Sequence, residues 1–120
     1  MIKNLLLVGA GGALGSIARY AVSMLFAHFA VGGHWATMLV NVVGSFLIGL
    51  LIPILSNAAA LIAVVGFCGG FTTFSTFSSQ AVQLFQNGER LVATAYVAVS
   101  FVVSIAMVLL GMYVAERLVK

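Results

Sequence analysis

The chain has 120 residues, 63% of them hydrophobic and 6% charged, with a formal net charge of +3 and a mean hydropathy of +1.25. A soluble domain this small leaves much of its area in water and could not hide so much apolar surface, so the composition specifies an integral membrane protein. The five basic residues are scattered, which excludes the clustered patch of a nucleic-acid binder, and the single cysteine, Cys68, excludes an intrachain disulfide or a cysteine-based metal cluster.

A spanning helix needs about 20 apolar residues, and the sequence divides into four such segments forming one all-α membrane domain over residues 1–120. They are expected over roughly 5–29, 35–55, 61–85 and 91–115. Continuous apolar runs argue against a barrel, whose strands alternate. The first segment is too long for a signal-peptide core and no A-x-A-like site follows it. It carries Gly9, Gly12 and Gly15 at three-residue steps, with Gly11 four before Gly15, a face on which two helices approach closely. Turn chemistry marks the joints: Gly32–His34, Ser56–Asn57 and Asn87–Arg90. Pro53 stands near the end of the second span, where a lost helical hydrogen bond costs least. His28, His34 and Trp35 read as interfacial residues. Lys3, Arg117 and Lys120 fall on one membrane side, with Arg90 on the other and Arg19 nearer to it. That bias is weak, and is compatible with one orientation or with both.

The second span presents Thr37, Asn41 and Ser45 at four-residue spacing, and the fourth repeats the pattern with Tyr96, Ser100 and Ser104. Two such rows facing one another make a polar track, although a single Ser or Thr usually bonds its own backbone. Asn41 either donates to an ion or bonds a neighbouring helix. The third span contains "GFCGGFTTFSTFSSQ", Gly66 to Gln80. Gly66, Gly69 and Gly70 favour departure from helical geometry, which is tolerated at membrane depth only where backbone is buried or lines a cavity. Carbonyls freed there could bind a cation. Phe74 and Phe77, three apart, project to a similar side as packing or as lining.

There is no Asp, and Glu89 and Glu116 flank the spans. Proton-coupled exchange needs a carboxylate inside the bilayer, so a small multidrug/proton exchanger is disfavoured. The interior holds neutral donors and one cation, Arg19, placed either at a water-filled vestibule or snorkelling to the surface. Donors without acceptor charge imply a path for a small, strongly hydrated anion. A non-transporting helical subunit of a larger complex, its polar rows serving only for packing, is the remaining alternative.

Three stretches, "GGALGSIARY", "TMLVNVVGSFLIG" and "GFCGGFTTFSTFS", in this order over about the first two thirds of the chain, resemble the Fluc (CrcB-type) fluoride channel family. The fourth span matches only through its polar row. The resemblance implies a dual-topology homodimer of antiparallel subunits in the cell (inner) membrane, with two pores that passively export fluoride. It implies that Asn41 is a pore asparagine and that Phe74 and Phe77 turn ring edges to fluoride. Ser75, Thr76, Thr37, Tyr96, Ser100 and Ser104 would form the polar track, with Arg19 near the vestibule. It implies further a structural sodium ion on the two-fold axis, bound by main-chain carbonyls of Gly69 and Thr72 from both subunits. The chain departs from the family in one place: a carboxylate commonly follows "FSTFS", and here the residue is Gln80. Gln is nearly isosteric and still an acceptor, so conduction is expected to survive.

Overall fold

The computed structural model describes residues 1–119. Helix α1 covers Ile2–His28 and α2 Gly33–Leu51. The third span, Asn57–Gln86, is composite: α3 (Asn57–Ala60), a wide-turned π-helical segment π1 (Leu61–Cys68), α4 (Gly69–Phe71) and α5 (Ser75–Gln86). Helix α6 runs over Arg90–Val119. Four helical stretches are therefore long and apolar enough to cross a membrane. Large apolar side chains stand exposed on each of them, among them Leu5, Leu39, Val65 and Leu109, as a lipid-facing surface requires.

The joints follow from local chemistry. At the end of α5, Gly88 takes φ +82°. The Glu89 N–H reaches back to the Leu84 carbonyl at 2.9 Å, closing the helix as a left-handed glycine commonly does. Pro53 lies just beyond α2, in a turn where the Leu55 N–H bonds the Leu51 carbonyl at 2.8 Å.

Glycines set the packing. A methyl group on Gly11 would overlap the Ile62 carbonyl, and one on Gly15 the Phe67 carbonyl. From the other side, a methyl on Gly66 would lie 2.8 Å from the Val8 carbonyl oxygen and one on Gly70 2.6 Å from that of Gly12. The first and third spans thus touch backbone to backbone, the close approach that small residues permit in lipid. A second such seam joins α2 and α6, where a methyl on Gly49 would overlap the Val108 carbonyl and one on Gly111 the Phe46 carbonyl. Thr37 meets Tyr96 near the starts of the two helices and Gly49 meets Val108 further along both, so α2 and α6 lie side by side and parallel. A small core of Phe77, Ala81, Leu84, Ala93 and Tyr96 joins α5 to α6. Cys68 is covered at the end of π1, 1% exposed.

The third span is bent. The sequence expectation puts the departure from helical geometry at Gly66, Gly69 and Gly70 and the poor helix formers that follow; the three glycines are themselves helical. The change comes just after them: Thr72 is extended (φ −91°, ψ 160°), and the helix resumes at Ser75. Gly66 and Gly70 are needed for contact with α1, not for backbone freedom.

Candidate functional site

The bend opens a cleft of about 380 Å³ between α2, α6 and the third span. Asn41, Gly44 and Ser45 line it from α2, and Ser100, Phe101 and Ser104 from α6. The third span contributes Gly69, Thr72, Thr73, Phe74 and Phe77. Ile48 and Ile105 complete the wall. Among the described residues no charged side chain and no residue of α1 lines it. The cleft is a neutral, hydroxyl-bearing hollow lined by residues from the middle of α2 and of α6.

Its polar groups differ in what they have left to offer. Asn41 is engaged twice with one residue: its Nδ2–H donates to the Thr73 carbonyl at 3.0 Å, and its Oδ1 accepts the Thr73 N–H at 2.8 Å. The Thr72 hydroxyl donates to the Cys68 carbonyl at 2.9 Å, and its methyl seats where any side chain on Gly44 would have to go. Thr73 Oγ1 accepts the Thr76 N–H at 3.3 Å. Ser78 and Ser79 donate to the Phe74 and Thr76 carbonyls at 2.9 and 3.1 Å. Much of the hydroxyl content of the motif therefore satisfies backbone around the bend, as Ser and Thr do in membrane helices. Ser100 is different. It is 5% exposed and, among the described residues, carries the one buried side-chain polar atom without a partner. A buried hydroxyl left open costs about 1–3 kcal/mol, a cost tolerated where a ligand or water fills the vacancy.

The rings make a graded wall. Phe74 and Phe77 have centroids 5.8 Å apart at 42°, yet Phe77 is buried (6% exposed) and Phe74 stands 69% exposed. Phe77 meets Tyr96 at 5.1 Å and receives Phe101 edge-on at 5.8 Å and 80°. Ring edges carry the positive end of the aromatic quadrupole, so an anion in the cleft would find them at its rim.

Not every expected residue reaches the cleft. Asn41, Ser100, Ser104, Phe74, Phe77, Gly69 and Thr72 line it, while Ser75, Thr76, Thr37, Tyr96 and Arg19 do not. Thr37 and Tyr96 form a separate polar cluster nearer the starts of α2 and α6. There the Tyr96 hydroxyl donates to Gln80 Oε1 at 3.1 Å, and the Thr37 side chain reaches the same hydroxyl. Thr37 also donates back to the Gly33 carbonyl at 3.3 Å, and the His34 ring stands edge-on to Tyr96 at 5.4 Å. Arg19 lies on the far side of the bend, its Nε donating to the Gly70 carbonyl at 3.0 Å. Gly44, Ile48, Thr73, Phe101 and Ile105 belong to the cleft and are not among the residues the sequence singles out. Thr73 is signalled by its hydroxyl inside the motif; the others look like any packing or lipid-facing residue.

Comparison with known proteins agrees with this architecture. The family model described as "CrcB-like protein, Camphor Resistance (CrcB)" matches residues 6–112. Three proteins named "Fluoride-specific ion channel FluC" are similar along nearly their whole length. The one from Chlorobaculum tepidum is 43% identical over 97% of each chain. That from Agrobacterium fabrum is 44% identical over 96% of this chain and 98% of its own. That from Cereibacter sphaeroides is 47% identical over 93% and 94%. The chain belongs to the CrcB-like family.

Proposed function

We propose, from membership in the CrcB-like family, that this protein is a fluoride-selective channel passing the ion out of the cytoplasm down its electrochemical gradient. It is a multi-pass membrane transporter, not an enzyme. The observation that carries the reading is Ser100: a buried, unpartnered hydroxyl in a cleft whose described lining holds neutral donors and ring edges but no charge. Dehydrating a small, hard anion demands replacement donors, and each must hold it loosely enough to let go.

The functional unit in this reading is an antiparallel homodimer in the cell's inner membrane with two pores. Support comes from the open flank of the cleft: its amide and hydroxyl groups beside the exposed Phe74 would face lipid in a single chain, and a second copy would cover them. The ion enters near Arg19, whose charge attracts anions. It then passes Asn41 and the hydroxyls of Ser100 and Ser104 beside the edges of Phe74 and Phe77, with Thr37, Ser75, Thr76 and Tyr96 flanking the track.

A structural sodium ion on the dimer axis belongs to the same reading. The residues fit such an ion. Extended Thr72 turns its carbonyl off the helix axis, and Gly69 faces open space, with nothing within 4 Å of where a side chain would begin. Main-chain carbonyls are the hard, neutral oxygen ligands a monovalent cation takes. Gly69 and Thr72 would hold it together with the same two residues of a second copy, and the bound charge would tie the two bends together.

The test is fluoride efflux from proteoliposomes carrying the purified protein, with chloride as control. Rapid fluoride loss without chloride loss is expected, and Phe74→Ile should suppress it more than tenfold, because a ring edge is replaced by an aliphatic group. Equal chloride flux, or none of fluoride, sinks the reading.

A further inference from the structure

In a helix the N–H and C=O of one residue point to opposite ends of the axis; in an extended segment they point to the same side. Asn41 bonds both groups of Thr73 at once, at 2.8 and 3.0 Å. A carboxamide presents one donor and one acceptor side by side, as a neighbouring strand would. The pairing is therefore possible only while Thr73 is not helical. Without it, apolar surroundings would favour a continuous helix through residues 72–74, since a helix satisfies its backbone internally. The neighbouring contacts hold the same bend from other directions: Arg19 on the Gly70 carbonyl and the Thr72 methyl over Gly44. Within the segment, Thr73 Oγ1 caps the next helix at the Thr76 N–H, 3.3 Å away; from outside it, Asn41 is the side chain that discriminates between helix and bend. Phe74 is the next residue, and its direction is fixed by the backbone that Asn41 grips.

We propose that Asn41 is a positioning residue, serving conduction by clamping the Thr73 main chain in its non-helical form and so aiming Phe74 into the cleft, in place of acting as the ion's main ligand. The proposal rests on the channel reading for its consequence and on the clamp geometry for its cause. It makes Asn41 and Phe74 one unit: a change at the first reaches the ion through the second.

The experiment uses the full-length protein in liposomes, comparing wild type, Asn41→Ala and Asn41→Asp. Three quantities are followed: fluoride flux, hydrogen exchange of the backbone amides of residues 72–76, and the fluorine NMR signal of 4-fluorophenylalanine at position 74. Asn41→Ala should speed exchange at least about tenfold, which is what two lost hydrogen bonds are worth, while broadening the fluorine signal and abolishing flux. In Asn41→Asp the ionised carboxylate cannot donate to the Thr73 carbonyl. Once protonated, the substituted carboxyl again offers an O–H to that carbonyl and an oxygen to the Thr73 N–H. Flux, exchange protection and the fluorine signal should then return together on acidification, measured against wild type at each pH. Its only proton is spent on the clamp, so it has no second donor for an ion. Loss of flux in Asn41→Ala with exchange and fluorine signal unchanged would overturn the proposal, as would acid-restored protection without restored flux. Absence of fluoride flux in wild type would sink the channel reading instead, with the exchange data still deciding whether the clamp exists.

Discussion

Gly69 and Gly70 are adjacent in sequence and live under opposite conditions. A methyl on Gly70 would sit 2.6 Å from the Gly12 carbonyl oxygen, whereas one on Gly69 would meet nothing within 4 Å. The difference divides the third span lengthwise. One flank is pressed against α1 with no room for a single carbon; the other faces a cleft. Backbone contact along the seam gives the span a rigid edge at Gly66 and Gly70, and the bend at Thr72–Phe74 begins where that edge ends. An irregular segment in a membrane must be over-determined by its surroundings, and here the tight flank and the Asn41 clamp supply that determination.

The contrast can be broken from the tight side first. Gly15→Val would drive a branched side chain into the Phe67 carbonyl and the Phe71 N–H, and should cost about 3 kcal/mol or more. The expected result is a collapse in the yield of monodisperse protein after detergent extraction, with α1 displaced from the third span. Next, the two phenylalanines should separate stability from conduction. Phe77→Ala empties a buried site (6% exposed) and should lower stability by about 3 kcal/mol, seen as a fall in melting temperature. Phe74→Ala, at a position 69% exposed in the single chain, should stay within about 0.5 kcal/mol and still lose fluoride flux. Smallest of all, Gly69→Ala should leave the melting temperature within error, an effect of about 0.5 kcal/mol or less. A large loss there would mean that a second chain fills the space this one leaves open, which sharpens the comparison instead of ending it.

Much of this was legible in the sequence, and the exceptions share one cause. Span number and class follow from apolar run length, because lipid demands a fixed thickness. The bend falls in the poor helix formers after the glycines and not at the glycines themselves, because a glycine can serve flexibility or close approach, and only its neighbour tells which. Gly66 and Gly70 read as loosening points until α1 is set against them. Four-residue spacing suggests a single face for each polar row, but four residues at about 100° each overshoot a full turn by about 40° per step. Over two steps the row drifts, so Asn41 and Ser45 enter the cleft while Thr37 turns to Tyr96 and Gln80. The sequence leaves Asn41 with two alternatives, an ion or a neighbouring helix. Its partner lies 32 residues away, a separation over which no periodicity carries information.

Cys68, tucked behind the seam at 1% exposure and the chain's single thiol, has a practical corollary. A thiol that reagents cannot reach does not compete for them. The unmodified chain should therefore stay unlabelled by maleimides and methanethiosulfonates, and a cysteine introduced at an outward position should be the site that labels. The distance between two such labels would report directly how copies of this protein sit relative to one another, with no background substitution needed.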